Sequence, residues 1–105
     1  MTAEGIAPHA IRAGAAAGAP ELAAIVLALG APDEAVEAVR SLLAQDPPVE
    51  IVVVNSGGGG MAAKLRAAGI DVPVIEREER LYAGAVRNLG IAATRAPFVG
   101  FLAAD

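Results

Sequence analysis

The chain has 105 residues, 55% of them apolar, and a formal net charge of -4 from 8 basic and 12 acidic side chains. That length suits one domain able to bury roughly 65% of the surface its unfolded form exposes. The acidic balance gives no footprint for a nucleic-acid partner, and the lack of cysteine excludes a disulfide framework, a thiolate zinc site and a thiol nucleophile.

Residues 1–20 are rich in alanine and glycine with weak periodicity and are predicted to be a disordered tail, with the folded domain running from 21 to 105. The tail lacks the basic start and apolar block of a secretory signal. No run reaches the roughly 18 uncharged apolar residues that a membrane span needs. A cytoplasmic chain is the default expectation. His9, the single histidine, falls in the tail, so no Ser/His/Asp constellation can be drawn.

"LAAIVLAL", Leu22 to Leu29, is an apolar run closed by Gly30 and reads as a strand buried on both faces. A helix follows, with Pro32 at its first position, Asp33 and Glu34 where the helix dipole favours carboxylates, and Val36, Val39, Leu42 and Leu43 on one face. Pro47 and Pro48 stop it. "EIVVV", Glu50 to Val54, is the clearest strand, ended by Asn55, Ser56 and four glycines.

A short helix from Met61 to Ala68 presents Met61 and Leu65 on one face, with Gly69 as its C-cap. "VPVI", Val72 to Ile75, reads as a third strand that Pro73 assigns to a sheet edge. "EREER", Glu76 to Arg80, reads as a solvated charge run. A helix from Ala83 to Thr94, despite Gly84 and Gly90, and a fourth strand from Phe98 to Ala103 complete the pattern.

This alternation predicts an α/β fold: a Rossmann-like parallel sheet of about four strands with helices on both faces. Ligands of such sheets bind beyond the carboxyl ends of the strands, near the reversal of strand order. Leu29, Gly30, Asn55, Ser56 and Asp105 lie at or just past predicted strand ends. The glycine run after Ser56 is either a plain turn or a set of backbone N–H groups able to meet an anion or a nucleobase. It is followed by no Lys-Ser/Thr pair and is no P-loop. Arg87 and Asn88 interrupt an otherwise apolar helix, where they either face solvent or contact a phosphate or carboxylate. Tyr82 is a core or staple residue, or a platform for a base.

Taken in order, these segments resemble the N-terminal half of family 2 glycosyltransferases, which have the GT-A fold. "EIVVVNSGG" is similar to that family's "EIIVVDDGS", and "GAVRNLGIAATRAPFVGFLAAD" to its "ARNxGI" helix followed by "FLDAD". Arg87, Asn88, Gly90, Phe101, Leu102 and Asp105 match at the family's spacing. The resemblance implies a nucleotide-diphosphate sugar donor bound by Leu29, Gly30, Asn55, Ser56, Arg87 and Asn88, and an acceptor of unknown identity. It also implies a divalent cation, Mg²⁺ or Mn²⁺, on Asp105.

Asn55 would take the place of the acidic residue that accepts a hydrogen bond from the base. Ala103 stands where the first aspartate of the metal motif is expected, which lowers the expected cation affinity. No residue can be given the role of catalytic base, which the family carries downstream, so the chain reads as the donor-binding half. The alternative is a non-catalytic binding or assembly domain that keeps the fold and forms a homo-oligomer through its exposed sheet.

Overall fold

A computed structural model describes residues 19–104. The expected tail up to residue 18, His9 within it, and the metal assignment to Asp105 lie outside the described residues. In chain order the elements are β1 (Leu22–Leu29), α1 (Asp33–Leu43), β2 (Glu50–Ser56), α2 (Met61–Ala67), β3 (Val74–Glu76), α3 (Ala83–Ala92) and β4 (Phe98–Ala104).

The strands form one parallel sheet in the order β3-β2-β1-β4. Side chains alternate across a strand, so β1 sends Ala24, Val26 and Ala28 to one face. There they meet Val36, Val39 and Leu42 of α1 and Met61 and Leu65 of α2. The other face carries Ala23 and Ile25 of β1, Val52 and Val54 of β2 and Val99 of β4 against Val86 of α3. The expected α/β sandwich is therefore observed. The order reverses between β1 and β4: the first three strands step one way from β1, and β4 returns to its other side.

Small residues set how closely the layers approach. A methyl group built on Gly90 of α3 would overlap Ile25 Cγ2 of β1. Glycine in a helix costs about 0.5–1 kcal/mol relative to alanine, but overpacking a core costs about 1–3 kcal/mol, so glycine wins here. Gly90→Ala is expected to lower the melting temperature by on the order of 10 °C. A thermal melt checks it, and an unchanged or raised value would refute the close approach.

Several boundaries differ from expectation. β2 continues through Asn55 and Ser56, because their backbones stay in the ladders with Ala28 and Leu29 of β1. β3 begins at Val74 because Pro73 has no N–H, although its carbonyl accepts from Val53 N–H at 3.0 Å. Pro32 is the extended N-cap of α1 and not its first helical residue. Leu43 is 55% exposed, off the buried face assigned to it. α2 stops at Ala67. α3 stops at Ala92, where the Thr94 hydroxyl donates to the Ile91 carbonyl at 3.1 Å and satisfies an end carbonyl.

At the amino ends of the strands, Glu50 binds the turn that leads into β4. Its Oε1 accepts from Arg95 N–H at 2.9 Å and Ala96 N–H at 2.8 Å, so the first residue of β2 fixes the entry of a strand two places away.

Candidate functional site

The carboxyl ends of β1 and β2 open into two loops that pack directly on each other. Gly57, Gly58, Gly59 and Gly60 all have positive φ, from 72° to 101°, a region that costs L-residues about 1–3 kcal/mol each. A Cβ on Gly59 would lie 2.9 Å from Ala31 Cβ and 3.0 Å from the Gly30 carbonyl oxygen. The glycines are thus required by backbone shape and by the approach of the β1–α1 turn.

Two of their N–H groups are already engaged within the chain. Gly57 N–H donates to the Glu79 carbonyl at 3.0 Å and Gly58 N–H to the Arg77 carbonyl at 3.1 Å. The plain-turn reading also falls short, because the loop is laced to the segment after β3. Glu76 completes the lacing: its Oε1 accepts from Met61 N–H at 2.6 Å and from Asn55 Nδ2 at 3.4 Å. Residues 76–80 are exposed, as a solvated charge run requires, but the segment also makes bonds that this reading did not include. One carboxylate and two carbonyls there bind the opposite loop.

Asn55 lies at the centre and is 0% exposed. Its Oδ1 accepts from Ala31 N–H at 2.9 Å, and its Nδ2 donates to the Gly58 carbonyl at 2.9 Å. The amide oxygen expected to meet a base is spent on Ala31, so Asn55 acts here as a pin between loops. Ser56 is 3% exposed, and its carbonyl accepts from Gly30 N–H at 2.8 Å. The open groups at this end include Leu29, 49% exposed, with Gly30, Gly57, Gly59 and Gly60.

Ala31 has φ 53°, the one positive value at a non-glycine among the described residues. A left-handed alanine costs about 1–2 kcal/mol. Lys64 of α2 reaches across to donate from Nζ to the Ala31 carbonyl at 2.7 Å. A neutral hydrogen bond contributes about 1 kcal/mol and one from a charged donor about 1.5–3 kcal/mol. Asn55 and Lys64 together therefore outweigh the strain. Lys64 was absent from the expected site, because its partner is a carbonyl 33 residues away.

Lys64 Nζ also lies 2.9 Å from Asp33 Oδ1. That hydrogen bond first, and the charge of the ammonium second, hold the Asp33 carboxyl below its usual value of 3.8. A depressed folded-state value contributes stability that is present above 3.8 and fades as pH falls through the lower folded value. Asp33 is highly exposed, so the contribution is small. The expected result is that Asp33→Asn lowers the unfolding midpoint slightly at neutral pH and not at all in strong acid. Denaturant titrations at the two pH values measure it, and a gap that widens in acid would contradict this sign.

On the other face of the sheet, the Arg87 guanidinium lies 5.5 Å from the centroid of the Phe101 ring. Phe101 is three residues before the end of β4, roughly 10 Å along the strand. Arg87 is exposed, as is Asn88, about 100° further round α3. Tyr82 is the N-cap of α3 and 86% exposed, which rules out its reading as a core residue. Leu29, Gly30, Asn55 and Ser56 are brought together, while Arg87 lies over Phe101, whose partner on β1 is Ile25, four residues before Leu29.

For a cation, Ala103 offers only a methyl group. Among the described residues no group of three or more His, Asp or Glu side chains could hold a metal ion. A groove of about 540 Å³ runs between α1 and α2, lined by residues that include Asp33, Glu37, Lys64 and Ala68, and its Asp33–Lys64 end adjoins the β1–α1 turn. No helix among the described residues is long and apolar enough to cross a membrane.

The four-stranded parallel sheet with its three helices fits the fold that the sequence resemblance implies. The family model described as "Glycosyl transferase family 2" covers residues 23–105, and the chain belongs to that family. It is 33% identical over 94 residues to the "Succinoglycan biosynthesis protein ExoU" of Rhizobium meliloti (strain 1021). That alignment takes in 86% of this chain and 28% of the relative's length.

Proposed function

We propose that the chain binds the nucleotide-diphosphate sugar donor of a glycosyl transfer to an acceptor hydroxyl. The observation that carries this is the exposed Arg87 guanidinium, stacked on Phe101 of β4 beside the β1/β4 reversal. Its planar fork suits a phosphate oxygen pair. Leu29, Gly30 and the edge of Gly57 form the open lip for the nucleoside, and Asn55 and Ser56 support that lip from below.

In the transfer the acceptor oxygen bonds to the anomeric carbon as the bond from that carbon to the diphosphate oxygen breaks. The nucleoside diphosphate leaves with the electron pair, and the acceptor proton passes to a carboxylate base. That base is not assigned to a residue of this chain. A Mg²⁺ or Mn²⁺ ion held by Asp105 would neutralise charge on the leaving diphosphate. Ala103, where the family's motif has its first aspartate, adds no ligand.

The test is a thermal melt with uridine, guanosine, cytidine and thymidine diphosphate sugars in turn, each with Mg²⁺ or Mn²⁺. At least one is expected to raise the melting temperature by mass action. No shift across the panel would overturn the proposal.

A further inference from the structure

We infer that Lys64, acting with Asn55, is a positioning residue that presets the Leu29–Gly30 lip for the donor by clamping the peptide groups on both sides of Ala31. The inference rests on the donor reading above for its functional part, and on the geometry of the two loops for the clamp itself.

Leu29 and Gly30 can serve as a lip only if the chain turns sharply after β1. It does so through consecutive left-handed residues, Gly30 at 69° and Ala31 at 53°. Glycine enters that region freely, whereas alanine does not. Ala31 is 3% exposed, and its conformation is held from both ends. Its N–H is taken by Asn55 Oδ1 at 2.9 Å and its carbonyl by Lys64 Nζ at 2.7 Å. Without the ammonium, the strained alanine is free to relax to negative φ, and Gly30 and Leu29 move with it.

A ligand that needs the turned form then pays for the fraction of time the turn is lost. If the turn is held one-tenth of the time, apparent affinity falls about tenfold. Asp33, the other partner of Lys64, is highly exposed and touches neither peptide group. Losing that ion pair alone leaves the lip in place.

The experiment compares the parent chain with Lys64→Met, Asp33→Asn, and Lys64→Met combined with Ala31→Gly. Without ligand, backbone coupling constants and amide hydrogen exchange at Ala31 report the turn. Lys64→Met is expected to lose the left-handed coupling and speed exchange, while Asp33→Asn leaves both unchanged. With uridine diphosphate glucose, guanosine diphosphate mannose, cytidine diphosphate glucose and thymidine diphosphate glucose as probes, each with Mg²⁺ or Mn²⁺, Lys64→Met should weaken the best binder about tenfold.

Adding Ala31→Gly, which enters the left-handed region without strain, should recover most of that affinity even though no contact of Lys64 is restored. A merely stabilising lysine would show no such rescue. Unchanged coupling and exchange in Lys64→Met would overturn the clamp. Normal affinity in that variant, with a parent that binds, would overturn the positioning role. A parent that binds none of the probes would overturn the donor reading and the lip's function together, with the clamp still judged by the unliganded arm.

Discussion

Asn55→Asp is expected to destabilise the chain by about 3 kcal/mol at neutral pH, even though an acidic residue is what the family's motif carries there. The new carboxylate would keep the bond from Ala31 N–H. Its second oxygen would face the Gly58 carbonyl and the Glu76 carboxylate, the two acceptors that Asn55 Nδ2 now serves. The site is 0% exposed, so water cannot relieve the repulsion.

Because the folded form disfavours the charge, the new group's folded-state pKa is raised. The variant's stability is therefore best in acid and is lost as pH rises through that value. Chemical denaturation of both chains at acid and neutral pH measures the difference. An equal loss at the two values would remove the electrostatic cause, and no loss would remove the pin.

Arg87→Ala is expected to abolish the melting shift produced by the best nucleotide sugar and to weaken its binding by about 10- to 100-fold. That is the span given by losing one hydrogen bond to a charged group. Stability should change by less than about 1 kcal/mol, because the contact with Phe101 is an exposed cation–π pair at 5.5 Å. Arg87→Lys should not rescue binding, since an ammonium lacks the planar fork and the stacking face. Isothermal titration of the three chains separates the cases. Parent-like affinity in Arg87→Ala would move the phosphate subsite elsewhere.

The fold was legible wherever one element's own residues decide it. β1 runs from Leu22 to Leu29 as its unbroken apolar run requires, and α1 and α2 bury the faces that Val36, Val39, Leu42, Met61 and Leu65 define. Leu43 went astray because helical spacing alone does not say where a buried stripe ends.

The site was less legible, for one physical reason: its bonds run between side chains and distant backbone groups. Glu76 meets the N–H of Met61, Lys64 the carbonyl of Ala31, and Glu50 the amides of Arg95 and Ala96, across 15, 33, 45 and 46 residues. Backbone partners leave no residue-type signature, so the sequence of an exposed carboxylate such as Glu76 gives no sign of its bond to Met61 N–H. The glycine run was visible, but its laced state was not, because that depends on the carbonyls of Arg77 and Glu79.

The strand order also bears on how the chain is made. Of the four described strands, β1 emerges from the ribosome first and pairs with β2 soon after, but its other edge waits for Phe98–Ala104, the fourth of them. During that interval the most apolar strand presents an unpaired row of N–H and carbonyl groups, the template on which stray chains pair. The Glu50 link to Arg95 and Ala96 then delivers β4 to that edge as soon as the turn exists. A nascent chain stalled before Phe98 should accordingly recruit chaperones more strongly than one stalled after Ala104.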